Sequence, residues 1–149
     1  MSRIIFIEDN QYKIEKIRAF FDEEYPQIEI VIKKSFHGGF EEVIENAYQY
    51  DLMLLDMSMQ NYDITQNEAG GDPAPLAGKS ILTQMFLREI ELQVVVVTMY
   101  EKFEDGTILK DLNTELSEEY PDNYKGYVIF SHGNTNWKNG LREYINNLL

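Results

Sequence analysis

Four consecutive valines, Val94 to Val97, constrain this chain more than any other feature. They are β-branched and favour an extended backbone, in which neighbouring side chains point to opposite faces. A strand apolar at every position must be covered on both sides, as in a parallel sheet between two layers of helices. Ile4 to Ile7 and Leu52 to Leu55 are runs of the same kind, Ile28 to Ile32 is β-branched, and Tyr127 to Phe130 is a fifth candidate strand. Between these runs the apolar period changes to that of a helix. Ile14, Ile17, Phe20 and Phe21 form one stripe before Pro26, and Phe40, Val43, Ile44 and Ala47 form a second after a break expected at Gly38-Gly39. Gly78 to Ile90, much of Thr107 to Tyr120, and a final stripe of Trp137, Leu141, Tyr144, Ile145 and Leu148 complete the alternation. Strands alternating with helices predict an α/β fold with a parallel sheet, and 149 residues suit a single domain spanning 1–149.

Charge and composition then exclude several functions. Thirteen basic against 26 acidic residues give a formal charge of −13, which repels nucleic-acid backbones and anionic lipid. No run approaches the roughly 20 apolar residues that span a bilayer. The chain has no cysteine, which removes disulfides and thiolate metal sites and makes the cytoplasm the expected compartment. One segment breaks the rhythm: residues 57–77 are polar and interrupted by glycine and proline. Strand–helix connections usually run to about 2–6 residues, so this stretch is expected to be a long loop insertion, either a plain surface loop or a lid over the pocket beside it.

In an open parallel α/β sheet, ligands bind outside the carboxyl ends of the strands. At those ends stand Glu8 and Asp9 after the first strand, Asp56 after the third and Thr98 after the fourth. Any one of these acids alone could be a helix cap. Three brought together repel one another, which raises a pKa or recruits a cation, and a hard ion with oxygen ligands, Mg²⁺, suits them. A carboxylate on such a metal beside a hydroxyl is set for phosphoryl transfer, with Asp56 as nucleophile and Thr98 bonding the oxygens of an aspartyl phosphate. Gly78-Lys79-Ser80 is not the tail of a phosphate-binding P-loop, because Pro73 stands where that motif needs glycine.

On residues 4–10, Asp51 to Asp56, Gly78 with Ile81-Leu82, and Val94 to Thr98, the chain resembles the receiver domains of response regulators. The resemblance implies a flavodoxin-like, doubly wound five-stranded parallel sheet, order 2-1-3-4-5, with helices on both faces. It implies Asp56 as phosphoacceptor, Asp9 as a direct Mg²⁺ ligand, Glu8 as a ligand through water, the Ser58 carbonyl as a further ligand, and Thr98 as the switch hydroxyl. Tyr127 falls near the family's switch aromatic, although a core tyrosine suits that place equally. The implied partners are a histidine kinase or phosphotransfer protein and an unknown downstream protein.

Two departures stand out. Where the family has a lysine followed by proline at the end of strand five, this chain reads Tyr127-Val128-Ile129-Phe130-Ser131-His132-Gly133, with Phe130 or Ser131 in the lysine's place. His132, Lys79 and Lys102 are the cationic candidates left in nearby loops. The 57–77 and 99–126 segments are also longer than the family norm. Because the second lies on the usual output face, a different partner surface, or a homodimer, is expected there. Three functions follow. The first is a phosphorylatable receiver, which is not itself an enzyme. The second is a pseudo-receiver, a phosphorylation-independent protein–protein interaction module. The third is a small phosphohydrolase with the long loop as its lid. If the chain is complete at residue 149, action by docking to another protein is expected; if it is part of a longer protein, an effector segment is expected elsewhere in that protein.

Overall fold

The computed structural model describes residues 2–60, 73–74 and 76–149. Its strands are β1 (Arg3–Ile7), β2 (Glu29–Lys33), β3 (Leu52–Leu55), β4 (Val94–Thr98) and β5 (Tyr124–Ile129). They form one sheet in the order β2-β1-β3-β4-β5, with every pairing parallel. The helices are α1 (Gln11–Glu24), α2 (Phe36–Asn46), α3 (Ala77–Leu87), α4 (Leu109–Glu119) and α5 (Asn136–Leu148). The flavodoxin-like order and the two helical layers match the expectation.

Alternate residues of each central strand enter different cores, as the strand period requires. Ile4, Phe6, Leu54, Val95 and Val97 pack with Ile14, Ile17 and Phe20 of α1 and with Trp137, Leu141 and Ile145 of α5. Ile5, Ile7, Leu55, Val94 and Val96 pack with Val43, Ile81, Leu82, Met85, Leu112 and Leu116 of α2, α3 and α4. A four-valine strand is stable here because both its faces are dry.

Two local expectations need correction. Gly38-Gly39 does not break the chain before α2. It lies inside the first turns of the helix, which Ser35 caps by accepting the Gly38 N–H at 3.1 Å. A Cβ at Gly39 would sit 2.7 Å from the Ile7 side chain, so glycine serves close packing of helix on strand. The fifth strand starts at Tyr124, three residues before the apolar run suggested. Its register shifts between Val94 and Val95, which pair with Tyr124 and Gly126. Gly126 has φ +147°, and a Cβ there would collide with the Tyr144 hydroxyl of α5. A bulge glycine therefore hid the start of the strand.

The expected 57–77 insertion lies largely outside the described residues. Its ends, Met59–Gln60 and Pro73–Ala74, pair as a short antiparallel ribbon. Among the described residues no helix is long and apolar enough to cross a membrane.

Candidate metal centre

β1 and β3 are neighbours in register, Ile7 opposite Leu55, so Glu8, Asp9 and Asp56 leave the sheet side by side. One carboxylate oxygen from each lies within 4.8 Å of the others. Glu8 and Asp56 are buried, and Asp9 is half-buried. Asp56 continues the ladder through its N–H, which donates to the Ile7 carbonyl at 3.1 Å, while the Ser58 N–H donates to its carboxylate. Burial raises the pKa of Asp56. Lys13 and a hydrogen bond from Glu8 oppose the rise, and the charge of Asp9 adds to it. Burial likewise pushes Glu8 up to about 8 against the pull of Lys13, with Asp56 adding to the rise.

Thr98 is fully buried at the end of β4. Leu55 pairs with Val96, which puts Thr98 one residue beyond the level of Asp56 on the adjacent strand. Its Oγ1 accepts the Tyr100 N–H at 3.1 Å, tying the hydroxyl to the loop that follows. Tyr127 pairs with Val96 and packs, half-buried, against the core on the α2–α4 side. The first turn of α3 comes close from below: the Gly78 N–H donates to the Met57 carbonyl at 3.0 Å, and a Cβ at Gly78 would sit 2.5 Å from the Asp56 carbonyl oxygen.

The cation beside these acids is one the sequence reading did not single out. Lys13, in the first turn of α1, is 1% exposed. Its Nζ forms an ion pair with Glu8 Oε1, donates to the Val97 carbonyl at 2.5 Å, and lies 3.6 Å from Asp56 Oδ1. The other candidates are engaged elsewhere: Lys79 pairs with Glu115, His132 stacks on Tyr12 with ring centroids 4.3 Å apart, and Lys102 is exposed on its loop. Phe130 is 2% exposed and packs against Trp137, centroids 5.0 Å apart, so the end of β5 is apolar. The sequence did carry a sign of Lys13, which precedes Ile14 and stands four residues before Ile17, on the buried stripe of α1.

The donor set suits a divalent ion. All three side chains offer hard oxygen ligands, and a divalent cation would offset the desolvation and mutual repulsion that raise the pKa values of Glu8 and Asp56. Glu8, Asp9 and Asp56 are the residues that would hold it.

No family model matches the chain. It is 31% identical over 150 residues to the Detocs response regulatory protein DtcB of Enterobacter cloacae (strain JD6301), covering 98% of this chain and 99% of that protein. It is 23% identical over 144 residues to the uncharacterized protein y4jR of Sinorhizobium fredii, covering 94% of each. In fold it is similar to the response regulator TrrA of Thermotoga maritima, solved in complex with Mg²⁺-BeF, at a TM-score of 0.67, 18% identity and full coverage of both chains. It is also similar to the response regulator domain of Thermotoga maritima CheB, at a TM-score of 0.67 and 16% identity, covering 99% of this chain and 96% of that one.

Proposed function

The chain belongs to the response-regulator receiver family, and from that premise we propose that it accepts a phosphoryl group on Asp56 in a Mg²⁺-dependent reaction. The donor is a histidine kinase or phosphotransfer protein in the cytoplasm, and the consequence is altered binding of a downstream protein. The observation that carries this reading is the convergence of Glu8, Asp9 and Asp56 within 4.8 Å at the ends of β1 and β3.

An Asp56 carboxylate oxygen attacks phosphorus, an O–P bond forms, and the bond from phosphorus to the donor breaks with its electron pair leaving on the donor. When bound, Mg²⁺ supplies neutralisation of the charge on the transferring group. Glu8, Asp9, Asp56 and the Ser58 carbonyl would hold it. Thr98 turns its hydroxyl proton to the new oxygens while its lone pair keeps accepting the Tyr100 N–H. A movement of that hydroxyl is thereby passed to the loop after β4. Tyr127, two strands from Asp56 on the α2–α4 side, is the aromatic placed to follow such a movement.

A low-molecular-weight acyl phosphate with Mg²⁺ tests the reading. Intact-protein mass spectrometry is expected to show a single hydroxylamine-labile phosphoryl adduct, absent without Mg²⁺ and absent in Asp56→Asn. An unmodified wild-type protein overturns it.

One observation favours a second reading, a phosphorylation-independent interaction module: buried, apolar Phe130 fills the end of β5. On that reading Asp56→Asn would leave partner binding unchanged.

A further inference from the structure

We propose that Lys13, from the first helix, is the cationic partner of the phosphoryl group on Asp56. The inference rests on the reading of Asp56 as acceptor and adds a residue to it.

The position is costly for a lysine. A buried ammonium needs its charge and its three donors answered within the protein. The first turn of a helix also presents partial positive charge, which disfavours a cation. Asn10 fixes Lys13 in that turn, its side chain capping α1 by accepting the Lys13 N–H at 2.9 Å. A residue held against local preference marks a site where another requirement prevails.

The donors of Lys13 show what that requirement is. The Val97 carbonyl accepts one of them, and Glu8 Oε1 lies against the ammonium as its ion-pair partner, without a hydrogen bond of its own. The ammonium also lies 3.6 Å from Asp56 Oδ1, within range of charge attraction but beyond a hydrogen bond, so donors remain to be used there. A phosphoryl group bonded to Asp56 adds acceptor oxygens and about −1.5 to −2 of charge, at the place where a donor and a positive charge already wait. The three oxygens around Nζ come from the residues that follow β1 and β3 and from β4, so the ammonium sits among the strand ends and not out on a loop. At the end of β5, Phe130 has no charge to offer.

A purely structural lysine would tie Glu8 down and do nothing more. The two roles part in a paired measurement on wild type, Lys13→Met and Lys13→Gln: the rate of adduct formation from acetyl phosphate, and the affinity for Mg²⁺ alone. Removing a cation beside three carboxylates is expected to leave Mg²⁺ affinity equal or tighter. Losing a charge-assisted contact to the phosphoryl group is expected to slow adduct formation at least about tenfold. Opposite movement of the two readouts supports the proposal. Wild-type rates in a folded variant overturn it and leave Asp56 as the acceptor. Parallel loss of rate and Mg²⁺ affinity in folded protein also overturns it, in favour of a structural role. If wild type itself forms no adduct, the acceptor reading falls and this proposal with it. Lys13→Gln keeps N–H donors without the charge, and it decides the question if Lys13→Met does not fold.

Discussion

The β1–α1 and β5–α5 junctions lie at the same end of the sheet, and their helices cover the same face, yet they are built from opposite materials. At the first, Glu8, Asp9 and Lys13 bring charge into the protein and Asn10 caps the helix. At the second, Phe130 and Trp137 pack ring against ring, and the side chain of Thr135 at the start of α5 makes no cap bond. The two even touch: Tyr12 of α1 meets Phe130 edge-on, with centroids 6.2 Å apart, and stacks on His132. The contrast teaches that a pocket's charge need not come from a fixed place along the chain. Here a lysine from α1 reaches the acids at the strand ends, and the end of β5 is given over to core.

That contrast is broken most severely at its apolar side. Phe130→Ala removes a buried ring, which typically costs about 3–5 kcal/mol, and a urea melt is expected to show the loss. In conditions where the variant is folded, its Mg²⁺ affinity is expected to stay near wild type, since no ligand comes from β5. Loss of Mg²⁺ binding in folded Phe130→Ala would mean that the two junctions are one unit.

A pH series sharpens the comparison from the charged side. Glu8 titrates near 4.5 when unfolded and is pushed up to about 8 in the folded protein, chiefly by burial. Asp56 shifts in the same direction. The folded state therefore holds protons that the unfolded chain has already lost, and stability falls as pH rises across that window. One such proton gives a slope of at most about 1.4 kcal/mol per pH unit. Mg²⁺ binds the ionised carboxylates, so its stabilising effect on Tm is expected to be larger at the upper end of the window than at the lower. Glu8→Gln is expected to flatten the metal-free slope, and Phe130→Ala to leave it in place. A wild-type protein whose metal-free stability does not change across the window would remove the burial argument.

How far the sequence revealed these junctions depends on the physics behind each feature. Val94 to Val97 and Ile4 to Ile7 show a doubly covered sheet because strand burial is written in consecutive residues. The strand order came from the resemblance to receivers, since periodicity carries no information on which strands are neighbours. Glu8, Asp9 and Asp56 were legible because a parallel sheet gathers whatever ends its strands. Lys13 was missed because helical stripes are sought among apolar residues, and because its partner carbonyl, Val97, lies 84 positions away. Gly39 was misread for a similar reason: its role is set by Ile7 on another element. Sequence pattern reports what a residue does to its own backbone more readily than what distant elements ask of it.

The smallest expected effect tests whether the cap of α1 belongs to the charged junction or only to the helix. Asn10 Oδ1 accepts the Lys13 N–H, and Ser35 Oγ does the same for Gly38 at the start of α2. Either cap replaced by alanine is expected to cost about 1 kcal/mol, read as a shift in the urea midpoint. The two variants should separate in the acetyl-phosphate reaction. Asn10→Ala frees the turn that aims Lys13 at Asp56 and is expected to slow adduct formation by a few-fold, whereas Ser35→Ala, with no contact to the acids, should leave the rate unchanged. Equal rates in both would mean that strand ends alone hold the Lys13 ammonium in place, through Glu8 and Val97, and that the cap contributes to α1 and not to the pocket.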